Sequence, residues 1–241
     1  MTQPLLSLKG VHTHIGRYHI LHGVDLEVPR GELTMLLGRN GAGKTTTLRT
    51  IMGLWRASSG QIVFDGEDIT RLSTPEIAQR GIAYVPESMG IFADLTVREN
   101  MVLAARNGPM DEARLGWIFK MFPAMHRFWS LPAGQLSGGQ KQMLAVSRAI
   151  VEPRKLLLID EPSKGLAPAI IVNMIAAFAE LKSTDTTILL VEQNFNFARQ
   201  LGDSVAVMDD GRIVHGGAMA ALAGDSALQQ QLLGLSLSAH Q

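Results

Sequence analysis

Gly38-Arg39-Asn40-Gly41-Ala42-Gly43-Lys44-Thr45-Thr46 decides the fold of this chain. The stretch fits G-x-x-x-x-G-K-[ST], the P-loop pattern. Its glycines let the backbone curl tightly, so that N–H groups point at phosphate oxygens. Lys44 is placed to reach β- and γ-phosphates, and the Thr45 hydroxyl is a ligand for Mg²⁺. The flanks agree with this. Leu33–Leu37 reads as a short buried strand, and Thr46–Met52 as a helix. A helix N-terminus at this point adds its dipole to phosphate binding. A glycine turn without a ligand accounts for a lone G-x-G. It does not account for a complete motif with strand, lysine and hydroxyl. The stretch therefore implies a nucleoside triphosphate ligand.

At 241 residues the chain suits one large domain or two small ones. It is 46% apolar and 18% charged, as an ordered globular protein is. Lys and Arg number 22, Asp and Glu 22, so the net charge is zero. That balance argues against a nucleic-acid partner bound by bulk charge. There is no cysteine, which excludes disulfides, thiolate metal sites and cysteine nucleophiles. Met1-Thr2-Gln3-Pro4-Leu5-Leu6 lacks the basic start and long apolar run of a signal peptide. No apolar run approaches the roughly 18 residues that span a bilayer. The expectation is a chain soluble by itself, which reaches a membrane only by docking to another chain.

Apolar residues among the first thirty predict two or three strands, with turns at Lys9-Gly10 and Arg30-Gly31. Gln61–Gly66 reads as a strand ending in a turn, and Gly81–Pro86 as a buried strand closed by proline. From about Thr96 to Pro153 the pattern is mostly helical, with breaks at 107–109 and 131–134. Lys155–Ile159 and Thr187–Val191 read as buried strands around a helix from about Pro168 to Lys182, a β-helix-β order that implies parallel strands. A hairpin is predicted over 205–214 with its turn at Asp210-Gly211, then a helix from Ala218 and loose residues.

Two further motifs carry chemistry. The strand 155–159 ends in Asp160-Glu161-Pro162. An aspartate there suits indirect Mg²⁺ ligation beside a P-loop, and the next glutamate can polarise a water for attack on the γ-phosphate. Alone, two acids at a strand end are better read as solvated charges. A P-loop about 115 residues upstream reverses that judgement. Leu136-Ser137-Gly138-Gly139-Gln140 precedes an amphipathic helix through Met143, Leu144, Val146 and Ile150, which Ser137 is placed to cap.

With the acidic strand end following some fifteen residues later, this arrangement resembles the ABC ATPase family over nearly the whole chain. Tyr84-Val85-Pro86-Glu87, the run Ile91–Asn100, Asp160–Pro168 and Leu190–Asn194 look like branched-chain amino acid importer ATPases of the LivF type. Urea and short-chain amide importers use similar subunits. The resemblance implies an α/β P-loop (RecA-like) core with a mainly parallel sheet, an N-terminal antiparallel β subdomain and an inserted helical subdomain. The core would span about 1–86 and 154–241, the helical subdomain about 87–153. It also implies ATP with Mg²⁺, head-to-tail dimers with a second copy or a sister ATPase, and ATP held between the P-loop of one subunit and 137–140 of the other. Ser137 and the Gly139 backbone would meet the γ-phosphate in trans, and Glu161 would be the general base. A membrane permease, an indirect periplasmic or extracellular solute-binding protein, and a place on the cytoplasmic face of the inner membrane follow from the same resemblance.

The chain departs from the general family pattern in three places. Glu87 stands where a Mg²⁺-ligating glutamine is usual, and still offers a hard oxygen. Gln193 stands where a switch histidine is usual; it can hydrogen-bond but does not titrate near neutral pH. Ile15 stands where an aromatic residue stacks on adenine, with Tyr18 nearby. The remaining features have plainer readings. His12 and His14 share a strand face and read as surface histidines in the absence of a third ligand. Trp117, Phe119, Phe122, Phe128 and Trp129 read mainly as packing for the helical part. The resemblance places a permease groove near 87–95. Two rivals remain: a soluble ABC ATPase outside transport, and a non-hydrolysing partner whose nucleotide serves as glue.

Overall fold

The computed structural model describes residues 3–184 and 186–234. In chain order the strands are β1 (Leu6–Ile15), β2 (Tyr18–Val28), β3 (Leu33–Gly38), β4 (Ala57–Phe64), β5 (Glu67–Asp68), β6 (Ile82–Val85), β7 (Leu156–Asp160), β8 (Thr187–Glu192), β9 (Ser204–Asp209) and β10 (Arg212–Ala218). The helices are α1 (Lys44–Ile51), α2 (Thr74–Gln79), α3 (Val97–Ala104), α4 (Glu112–Met121), α5 (Pro123–Arg127), α6 (Gly138–Ile150), α7 (Pro168–Lys182), α8 (Phe195–Leu201), α9 (Met219–Gly224) and α10 (Ser226–Leu233).

The apolar strands form one six-stranded sheet in the order β10-β9-β3-β8-β7-β6. β3 pairs in parallel with β8 and β9, β7 with β8, and β6 with β7. Only β10 runs antiparallel, to β9. Every residue of β3, β7 and β8 is buried, as expected for parallel strands covered on both faces. Alternation divides the core. Leu33, Met35 and Leu37 pack with Phe178, Phe197 and the helical segment on one face. Leu36, Leu158, Leu189 and Val191 pack with Leu48, Val24 and Phe64 on the other.

That second face is covered by α1 and by a four-stranded antiparallel sheet, in the order β2-β1-β4-β5. The turn expected at Lys9-Gly10 is not a turn. β1 runs through it, and its pairing with β2 slips between Leu8 and Val11. Gly10 has φ 54 and donates its N–H to Asp25 Oδ1 at 2.8 Å, so the glycine serves a bulge inside one long strand. The hairpin turn lies instead at Gly16-Arg17. His12 and His14 each stack on His19, with ring centroids 5.1 and 4.1 Å apart, and His22 packs against His19 at a tilt, 4.1 Å away.

Between β6 and β7 lie α3 to α6. Thr96 caps α3 and closes a capping box with Glu99. Asn100, fully buried, accepts from Phe92 N–H and donates to Phe92 O, both at 2.9 Å, and so fixes the loop ahead of the helix. Phe122 is buried in this segment, and Phe119 meets Trp129 edge-on. The helix at 168–182 and the hairpin turning at Asp210-Gly211 stand where the sequence places them. The chain after β10 forms two short helices rather than one; the loose tail expected after them falls at 235–241, outside the described residues. Among the described residues no helix is long and apolar enough to cross a membrane.

Candidate nucleotide site

β3 delivers the glycine loop to the C-terminal edge of the parallel sheet. Gly38 has φ 155, and a Cβ there would lie 2.3 Å from Met208 O. Gly43 has φ 108 and starts α1 with no side-chain cap, which leaves the first N–H groups of the helix facing the loop. The hairpin turn braces this loop from outside: Gly211 N–H donates to Ala42 O at 2.9 Å, and His22 N–H to Gly211 O at 2.9 Å.

Lys44 is 4% exposed. Its ammonium donates to Gly38 O at 2.8 Å and Arg39 O at 3.0 Å, and lies 3.6 Å from Glu161 Oε1. Burial pulls its pKa below the ordinary lysine value, against the charge of Glu161. Thr45 Oγ1 donates to Asp160 Oδ1 at 3.1 Å, and Tyr84 Oη to Asp160 Oδ2 at 3.4 Å. Burial raises Asp160, opposed by the Thr45 hydrogen bond. Burial, with the charge of Asp160, pushes the Tyr84 hydroxyl up to about 12.

Glu161 leaves the sheet with φ 47, a left-handed backbone rare outside glycine. Its N–H is held by Val191 O at 3.0 Å. Its carboxylate accepts from Gln193 Nε2 at 2.5 Å, and the same Gln193 nitrogen donates to Asn40 Oδ1 at 2.7 Å. Gln193 therefore ties the glycine loop to Glu161. Lys164 lies between two acids, 2.6 Å from Glu87 Oε1 and 3.4 Å from Glu161 Oε2. The hydrogen bond to Glu87, then the charge of Glu161, hold its pKa above the ordinary lysine value.

These groups surround a cavity of about 370 Å³, lined by Asn40, Gly41, Gly43, Lys44, Thr45, Thr46, Glu87 and Glu161, with Ile20 and Lys164. Asp160 lies beneath it, fully buried. Ile20 stands in the wall and Ile15 does not. Arg39, Gly38 and Ala42 belong to the same loop without lining the space. Ser137, Gly138, Gly139 and Gln140 lie elsewhere, at the N-terminus of α6. There Gln140 N–H donates to Ser137 Oγ at 3.3 Å, and Ser137 N–H to Gln140 Oε1 at 2.9 Å. Three contributors escaped the sequence reading. Lys164 lies in the quoted run 160–168 without a role assigned to it, and Ile20 carries no motif. Glu192, 2% exposed, accepts backbone N–H groups from Ser163, Gln193 and Asn194 and so fixes the turn that carries Lys164. Among the described residues no three His, Asp or Glu side chains are placed to hold a metal by themselves.

Comparison with known proteins decides the family: the profile described as ABC transporter matches residues 21–164. The chain belongs to the ABC transporter family. This ABC cassette is similar to the high-affinity branched-chain amino acid transport ATP-binding protein BraG of Pseudomonas aeruginosa, 39% identical over 95% of this chain and all of that one. It is also similar to the probable branched-chain amino acid transport ATP-binding protein LivF of Archaeoglobus fulgidus, 37% identical over 83% of this chain and 86% of that one. Among solved structures it matches a dimeric, post-hydrolysis ATP-binding cassette bound to ADP and Pi. The TM-score is 0.78 at 25% identity, over 89% of this chain and 98% of that one. The ABC cassette described here is thus an ATPase that binds a nucleotide, with the cassette fold the sequence implied.

Proposed function

We propose that this cassette hydrolyses ATP to energise an importer for branched-chain or related amino acids, on the cytoplasmic face of an inner membrane and through a separate permease. One observation carries the catalytic part: Lys44, Thr45 and Glu161 line one cavity, and Asp160 beneath it accepts from Thr45, 115 residues away in the chain. The amino-acid part is supported by the full-length likeness to the Pseudomonas relative.

In this reading the glycine loop and Lys44 bind the phosphates. Glu161 takes a proton from the attacking water, held in aim by Gln193 and its own backbone. The donors offered by Thr45, Asp160 and Glu87 are hard oxygens that suit Mg²⁺. Bound there, the ion would neutralise phosphate charge. Ser137, Gly138, Gly139 and Gln140, absent from the cavity of their own subunit, serve the nucleotide of a second subunit, which is either identical or a sister ATPase. The Ser137 hydroxyl and the uncapped N–H groups of Gly138 and Gly139, at the start of a 13-residue helix, suit an anion. The helical subdomain is taken as about 87–153 and the core as the rest.

A groove of about 740 Å³ between these parts, with Arg49, Trp55, Tyr84, Met89 and Arg148 in its wall, is the proposed permease seat. A solute-binding protein would deliver the substrate to that permease.

The test is hydrolysis by the purified chain with Mg²⁺, followed by uptake with its permease and binding protein. Turnover is expected in the wild type and not in Lys44→Ala, and uptake of labelled leucine is expected in cells. ATP binding without turnover would favour the nucleotide-as-glue reading. Turnover without any effect on uptake would place the cassette outside transport.

A further inference from the structure

Two carboxylate residues, Glu87 and Glu161, line the cavity alongside two lysines, Lys44 and Lys164. Lys44 is spoken for by the glycine-loop carbonyls and by Glu161 Oε1 at 3.6 Å, and does not reach Glu87 among its ion pairs. Lys164 does: its contacts are Glu87 at 2.6 Å and Glu161 at 3.4 Å. Its backbone sits in a braced turn, with its own N–H on Glu161 O at 3.2 Å and the preceding N–H, that of Ser163, on Glu192 Oε1 at 2.9 Å. The lysine and Glu87 side chains are 55% and 45% exposed. An ion pair that open contributes little to fold stability. Its effect is on what enters the cavity. A nucleoside triphosphate brings several negative charges, and an unpaired Glu87 would meet them with another.

We propose that Lys164 is the counter-charge that lets a carboxylate stand at position 87: shared between Glu87 and Glu161, it neutralises the phosphate end of the cavity and positions both acids for the nucleotide. This deepens the assignment of Glu87 and Glu161 made above and rests on it. Lys164 acts through these two groups and is a positioning residue.

Calorimetric titration with ATP, in EDTA and in Mg²⁺, tests it on wild type, Lys164→Met, Lys164→Arg, Glu87→Gln and the Glu87→Gln/Lys164→Met double variant. In EDTA at low salt, Lys164→Met should bind ATP about three- to tenfold more weakly, the scale of one partly screened unit charge. Lys164→Arg should bind like wild type, and the double variant should recover most of the loss. Added salt should shrink the difference. Lys164→Met binding like wild type in EDTA would overturn the proposal. So would a double variant as weak as Lys164→Met, because the loss would then not come from Glu87. Failure of the wild type to bind ATP at all would instead overturn the site assignment beneath it.

Discussion

Replacing Glu161 by glutamine separates chemistry from binding. The amide keeps the size of the side chain and an oxygen to accept from Gln193. It loses the ability to take a proton. General-base catalysis contributes about 10²–10⁴ in rate, or about 2.7–5.5 kcal/mol at 1.36 kcal/mol per tenfold. Turnover should fall by at least about a hundredfold on this basis. The change also strips Lys44 of a charge 3.6 Å away, in a pair that is 4% and 9% exposed. Breaking a buried pair costs about 3–5 kcal/mol when nothing replaces the lost partner. Here Gly38 O and Arg39 O still accept from the ammonium, and Asp160 and Glu192 still support its charge. We therefore expect a smaller loss of about 1–2 kcal/mol, which lowers the melting temperature of the nucleotide-free protein by roughly 2–8 °C. ATP should restore more stability to this variant than to wild type, because its phosphates supply the missing negative charge and are not consumed. Phosphate release, calorimetric ATP binding and thermal melts with and without ATP check each part. Turnover within twofold of wild type refutes Glu161 as the base. A loss of ATP binding equal to the loss of turnover refutes the separation.

Three further outcomes follow from the geometry. Ser137→Arg should leave ATP binding by the monomer nearly unchanged and block ATP-driven dimerisation in size-exclusion chromatography; loss of monomer binding would contradict the trans assignment. Asp160→Asn keeps the oxygen facing Thr45 and removes a carboxylate whose pKa burial has raised. The folded wild type thus holds an extra proton from the ordinary value of 3.8 upward, so its stability falls as pH rises through that window, and the melting temperature of the variant relative to wild type should grow over the same range. Phe92, 48% exposed beneath the Arg148 guanidinium, lies beside the proposed groove; Phe92→Asp should release the subunit from permease-containing membranes while basal ATPase activity persists, and retention at wild-type levels would count against that docking site.

Most of the sheet was legible because buried parallel strands appear as apolar runs and because turns such as Asp210-Gly211 punctuate them. The site was legible where it coincides with a contiguous motif. What escaped has physical causes. α2 and α8 are six and seven residues long, too short for helical periodicity to register, although Ser73 with Glu76 and Asn194 carry start signals. Gly10 reads as a turn in one dimension because a bulge uses the same left-handed backbone. The Lys164–Glu87 pair joins residues 77 apart, and only the braced turn after β7 brings them together. Ile20 lines the cavity from the second strand of the hairpin, where no contiguous motif marks it.

The left-handed backbone of Glu161 has a consequence for how this position can evolve. A glycine would sit there more comfortably, since it adopts positive φ without a Cβ penalty of about 1 kcal/mol. β-branched residues would fit worse than glutamate. Drift that rewards only robustness therefore pulls the position toward the one residue that has no side chain, and so no base. Persistence of an acid at this angle across a lineage would then report continuing demand for turnover. A glycine or asparagine there would mark a cassette released from hydrolysis while its fold improved.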